Sequence, residues 1–276
     1  MSYATARDGT LLYYKDWGTG RPVVMTHGWP LSADSFDDLA TEIAATGMRA
    51  IAYDRRGFGR SEQPWEGYDY DTLADDLADI IADTNAHDAT LLGFSMGGGE
   101  VARYMSRHAG RGVVQAILVS SVVPYMLRDD TNPEGVEAKV FSEMTQAIRT
   151  DRAAFWPSFF KQFYGVGTLS HPVSAEVVDW SCNVAMTASL KATLACAEAF
   201  SSTDFRSDLD AFRVPTLIIH GSADKTVPIE ATAKKAVLGI AGSTLQVYDN
   251  APHGLFATHK TRLIVDVIRF LRDFRA

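Results

Sequence analysis

Leu91-Leu92-Gly93-Phe94-Ser95-Met96-Gly97-Gly98-Gly99-Glu100 is the stretch on which the reading of the chain turns. It opens as the end of an apolar run, Ala89 to Phe94, that reads as a buried strand. It continues as Glu100-Val101-Ala102-Arg103-Tyr104-Met105, which reads as a helix. Between them stands Gly93-x-Ser95-x-Gly97. A strand that turns directly into a helix strains the backbone of the central residue and lifts its side chain clear of the sheet. Residues two positions to either side pack against that turn and must be small, which glycine satisfies. The helix that follows aims its N-terminal N–H groups and the positive end of its dipole at the serine. An oxyanion formed there meets the Met96 N–H. Glycine and serine are common, so the motif alone is a moderate signal. The strand before it and the helix after it supply the context it requires.

The rest of the chain supports one large α/β unit. Its 276 residues, 46% of them hydrophobic, suffice for a sizeable core. A net charge of −8, from 26 basic and 34 acidic residues, argues against a nucleic-acid partner, and no basic run points to a membrane surface. The first twenty residues hold charges and glycines but no apolar core, so no signal peptide is expected. No apolar stretch approaches a membrane span. Two cysteines, Cys182 and Cys196, fall in a segment that reads as helical. On one straight helix they would stand about 21 Å apart, against the roughly 7 Å limit for a disulfide. Reduced thiols in a cytoplasmic protein are the expectation. No Cys/His cluster has zinc spacing, and neither nucleotide-binding glycine pattern is present.

Taken in order, Tyr3 to Ala6 and Leu11 to Trp17 flank Asp8-Gly9 and read as an antiparallel pair at a sheet edge. Strands are expected at 22–26, 49–53, 89–94, 113–123, 215–220 and 244–248, which makes eight in all. Helices are expected at 32–46, 70–84 (with Asp71 as its cap), from the elbow to about His108, at 229–238 and at 261–274. This alternation means a mostly parallel sheet flanked by helices. It breaks near Pro124. From about 125 to 205 there is no strand pattern, only helices at 134–148, at 152–164 interrupted at Pro157, and at 174–200. The whole of 1–276 therefore reads as one domain with a helical insertion.

A serine hydroxyl needs a base, and the base needs an orienting acid. In a parallel sheet such groups sit beyond the carboxyl ends of strands. After the strand at 215–220 comes Gly221-Ser222-Ala223-Asp224; after that at 244–248 comes Asp249-Asn250-Ala251-Pro252-His253-Gly254. The order Ser95, Asp224, His253 is the one expected on such a sheet. Among the other histidines, His27 reads as structural and His220 as a hydrogen-bonded core residue. Neither His87, His108, His171 nor His259 comes in a late loop after a strand. Asp249 lies too close in sequence to His253 to approach the ring from behind. The second oxyanion donor is sought in His27-Gly28-Trp29-Pro30, where Trp29 has an N–H and Pro30 has none.

His27-Gly28-Trp29-Pro30-Leu31-Ser32, Tyr53-Asp54-Arg55-Arg56-Gly57-Phe58-Gly59-Arg60-Ser61, Gly93-Phe94-Ser95-Met96-Gly97 and Ala251-Pro252-His253-Gly254 together resemble the α/β-hydrolase superfamily. More narrowly, they resemble its cofactor-free haloperoxidase and aryl esterase group. The resemblance covers essentially the whole chain. It implies a triad at Ser95, Asp224 and His253, an oxyanion hole at the Trp29 and Met96 N–H groups, and a cap formed by the helical insertion. Members hydrolyse small esters without a cofactor. Some use hydrogen peroxide in place of water, and the peracid then oxidises halide. Related members open lactones or γ-lactams, and trimers or paired trimers are usual. Pro30, Val122, Met126, Phe141, Phe159, Phe163, Phe200 and Val227 are candidates for an apolar substrate pocket. The run Gly97-Gly98-Gly99 departs from many members, and a more flexible helix start is the expected result. Ser95 excludes the relatives whose elbow carries aspartate. A carbon–carbon bond hydrolase, and a receptor of the same fold without turnover, remain open.

Overall fold

Pro22–Thr26 and Ala89–Phe94 are buried at every position, as strands covered on both faces must be. They form the middle of an eight-stranded sheet in the computed structural model, which describes residues 2–273. The strands are β1 (Ser2–Thr5), β2 (Leu11–Gly18), β3 (Pro22–Thr26), β4 (Arg49–Tyr53), β5 (Ala89–Phe94), β6 (Val113–Val119), β7 (Thr216–Gly221) and β8 (Thr244–Tyr248). Their order is β1-β2-β4-β3-β5-β6-β7-β8. β1 and β2 pair antiparallel, as do β2 and β4; every pairing from β4 through β8 is parallel.

The helices are α1 (Asp37–Ala45), α2 (Tyr70–Asp83), α3 (Met96–Arg107), α4 (Ala138–Phe163), α5 (Ala175–Thr187), α6 (Leu190–Ser202), α7 (Ala233–Gly239), α8 (Leu255–Thr258) and α9 (Lys260–Arg272). α2, α3 and α9 turn apolar stripes (Leu73, Leu77 and Ile80; Val101 and Met105; Leu263, Val267 and Leu271) into the core. The helices α4 to α6 form the insertion between β6 and β7.

Several boundaries differ from the sequence reading, each for a local reason. α2 is capped by Asp69, whose carboxylate accepts from the Thr72 N–H; Asp71 is instead paired with Arg103 and Arg107. β6 stops at Val119 because Ser120 takes a positive φ of 45°. The cap helix breaks at Asp151 (φ −159°, ψ 90°), not at Pro157, because the Asp151 carboxylate accepts from the Ala154 N–H and restarts the helix. The segment 174–200 is two helices, because Ser189 caps α6 by accepting from the Ala192 N–H. Cys182 and Cys196 therefore sit on different helices, and both are free thiols. The first helix opens with a 3-10 turn at Ala33–Phe36, and α7 starts at Ala233. The expected end of the last helix, at 274, lies outside the described residues.

Asp69→Ala is expected to destabilise the protein by about 1 kcal/mol, the usual worth of a side-chain N-cap. Denaturant unfolding of the variant beside wild type measures it.

Candidate active site

Five parallel strands end in step, so the loops that follow them meet at one edge. Thr26 of β3 is level with Gly93 of β5, Phe94 with Val119 of β6, Val119 with Ile219 of β7, and Gly221 with Tyr248 of β8. Ser95, Asp224 and His253 follow the ends of β5, β7 and β8.

Ser95 holds φ 54° and ψ −120°, a conformation rare for a residue with a side chain. Neighbouring glycines make room for it. A Cβ at Gly93 would stand 2.6 Å from the Gly97 carbonyl oxygen, and one at Gly97 would stand 2.2 Å from that of Thr26. The next two glycines also have a packing reason rather than only a flexible one. Ser121 lies where a Gly98 Cβ would be, and Tyr70 and Phe205 crowd the same position at Gly99.

His253 Nε2 lies 2.9 Å from Ser95 Oγ, and its Nδ1 lies 2.6 Å from Asp224 Oδ2. All three residues are buried. The other carboxylate oxygen, Oδ1, accepts from the N–H groups of Thr226 (2.9 Å) and Val227 (2.8 Å). Burial pushes the Asp224 carboxyl up, but the His253 and His220 rings facing it outweigh this and hold it well below the ordinary range. The His253 loop is pinned from three sides. Its carbonyl accepts from Ser120 Oγ, the Gly254 N–H donates to the Phe163 carbonyl, and the Ala251 carbonyl accepts from the Ala223 N–H. Phe163 meets the imidazole edge to face at 4.7 Å between ring centres.

On the other side of Ser95 runs the loop after β3. A Cβ at Gly28 would lie 3.0 Å from the Ser95 Cβ, so only glycine lets this backbone come so close. The Gly28 carbonyl accepts from the Leu31 N–H and faces His27 Nδ1, both at 2.9 Å. That sets the plane of the peptide that carries the Trp29 N–H. Met96 is the first residue of α3, so its N–H has no acceptor within the helix. Behind both N–H groups, Arg55 pairs with Glu100 of α3 and donates to the His27 carbonyl. Tyr53 also donates to Glu100, and the Arg55 N–H donates to His27 Nε2. Burial, then the neighbouring Arg55 charge, holds the His27 imidazole well below its ordinary pKa.

Ser95 opens into a cavity of about 300 Å³. Of the candidate residues, Val122, Phe141, Phe159, Phe200 and Val227 line it, together with the Trp29 ring. Pro30, Met126 and Phe163 do not. Pro30 and Met126 are packed into the interior. Phe163 lies behind His253 and lines a separate cleft with Trp180 and Phe256. The reading missed Val140 and Met144 on the first half of α4 and Phe155, Ser158 and Gln162 on the second. Their signal was the spacing: with Phe159, the positions 155, 158, 159 and 162 share one helical face. Lys225 and Thr226 complete the wall beside Asp224.

Residues 21–260 match the family model described as the alpha/beta hydrolase fold. A non-heme chloroperoxidase from Kitasatospora aureofaciens is 40% identical over 98% of this chain and 99% of its own. A bifunctional esterase/perhydrolase from Acinetobacter calcoaceticus is 37% identical over 99% of this chain and all of its own. The crystal structure of a bromoperoxidase from Bacillus anthracis superposes with a TM-score of 0.94 at 41% identity, over 99% of this chain and all of that one.

The Gly28 contact makes a prediction. Gly28→Ala should slow labelling of Ser95 by a fluorophosphonate by about tenfold or more, since small displacements of reacting groups cost that much. Unaltered labelling of a folded variant refutes it.

Proposed function

The chain belongs to the α/β-hydrolase fold family, and from that premise we propose that it is a serine ester hydrolase acting through an acyl-enzyme, with a peracid-forming side activity. The observation that carries this reading is the unbroken line from Ser95 Oγ through His253 to Asp224, with contacts of 2.9 Å and 2.6 Å. Its relatives, a chloroperoxidase and an esterase/perhydrolase, support the peroxide branch.

His253 takes the Ser95 proton as the oxygen attacks the ester carbonyl. Asp224 holds the ring with Nε2 free to receive that proton and stabilises the imidazolium that forms. The carbonyl oxygen becomes an oxyanion between the Trp29 and Met96 N–H groups, each lowering the barrier by about 3 kcal/mol. The alcohol leaves with the proton from His253. Water adds to the acyl-enzyme and releases the acid. Hydrogen peroxide adds instead to release a peracid, which oxidises halide in solution. The apolar cavity accepts small acyl and aryl groups.

Among the described residues no helix is long and apolar enough to cross a membrane. We assign the protein to the cytoplasm, where two free thiols are stable. The resemblance to the cofactor-free haloperoxidase group supports a trimer or a dimer of trimers, which sedimentation tests directly.

Ser95→Ala should reduce aryl acetate hydrolysis on the order of 10⁴-fold or more, with the fold intact by circular dichroism. Hydrolysis at the wild-type rate rejects the reading. A Trp29 carbonyl held by Pro30 accepts a hydrogen bond from the hydroperoxide O–H. Pro30→Leu should therefore lower the ratio of perhydrolysis to hydrolysis, and an unchanged ratio removes that role. Phe159→Ala should shift acyl chain-length preference toward longer esters, as read from kcat/KM across a homologous series.

A further inference from the structure

A second histidine stands behind the acid of the site. His220 lies in β7, where it is level with Val247 of β8, and it is fully buried. Its Nε2 lies 2.9 Å from the Val227 carbonyl oxygen and 3.3 Å from Asp224 Oδ2. A carbonyl only accepts, so Nε2 carries the proton. His220 Nδ1 is buried and has no hydrogen-bond partner among the described residues, so a proton there would find no acceptor.

The two oxygens of Asp224 thus have different company. Oδ1 is held by backbone N–H groups. Oδ2 is shared by two imidazole edges, His253 at 2.6 Å and His220 at 3.3 Å. We propose that His220 is a positioning residue of this site: its N–H edge sets the direction in which Asp224 faces His253 and takes up part of the charge Asp224 offers that ring. The inference rests on the reading of Ser95, His253 and Asp224 as the reacting line.

The surroundings leave few rivals for this role. Among the described residues, the side chains paired with the Asp224 carboxylate are His253 and His220. His253 meets Ser95 at its other nitrogen, and the rings of Phe94 from β5 and Phe163 from α4 pack on it. Lys225, the next residue along, is exposed.

During attack His253 gains a proton, and the Asp224 charge stabilises the imidazolium. A second N–H edge on the same oxygen weakens that stabilisation. Its removal leaves Oδ2 to His253 alone, so His253 holds a proton at higher pH and the acid limb of activity moves up.

The test measures kcat and KM for an aryl acetate across pH in wild type, His220→Leu and His220→Gln. In the Leu variant the acid limb of kcat/KM should rise by about half a pH unit or more, with KM little changed. The Gln amide N–H reaches the place of Nε2–H and should return the limb toward wild type. A folded Leu variant with the wild-type limb overturns the proposal. If the Leu variant does not fold, ¹⁵N-histidine spectra of wild type decide. His220 must carry its proton on Nε2, and that resonance must move as His253 titrates; a proton on Nδ1, or a resonance that stays fixed, overturns it. Wild type without esterase activity would instead reject the proposed function, and the spectra would still report on the contact between His220 and Asp224.

Discussion

A buried guanidinium ties the loop after β3 to the helix that follows Ser95. Arg55 pairs with Glu100 on the elbow helix and donates to the carbonyl of His27 at the head of the facing loop. Both partners are essentially inaccessible to solvent. Removing one member of such a pair typically costs about 3–5 kcal/mol, because the other is left as a buried charge without its counter-ion. The pair also does something that an apolar core could not. It fixes a distance and an angle between the backbone that carries Trp29 and the helix that begins at Met96. Hydrogen bonds to a developing charge are strong only where the donors are already in place, and the proposed role of the Trp29 and Met96 N–H groups rests on this side chain beneath them.

Much of this was legible in the sequence wherever the local chemistry had one solution. The elbow could be read because a serine between paired glycines, after an apolar run and before a helix, fits few other structures. That Asp224 and His253 would lie at the same edge as Ser95 could be read because each follows a strand. What escaped was set by packing between distant parts of the chain. Asp71 and Asp69 are both good caps, and only the presence of Arg103 and Arg107 decides between them. Gly98 and Gly99 looked like slack until Ser121, Tyr70 and Phe205 were seen against them. The role of His220 was hidden because a histidine at the end of an apolar strand looks like any satisfied core residue.

The cavity was the least legible part. Aromatic residues of the insertion were recognisable as a group, but which of them face Ser95 depends on how α4 turns at Asp151. Phe159 and Phe163 lie one turn apart on the same helix. One faces the cavity and the other backs His253, a division that periodicity alone does not make.

The seam between insertion and sheet has a property of its own. Trp29 Nε1 donates to the carbonyl of Thr193, and the Gly254 N–H donates to the carbonyl of Phe163. Both acceptors are main-chain atoms, so neither tie depends on which side chain occupies those positions. Thr193 and Phe163 can therefore be exchanged for other residues while these joints hold, whereas the Trp29 indole that donates one of them cannot.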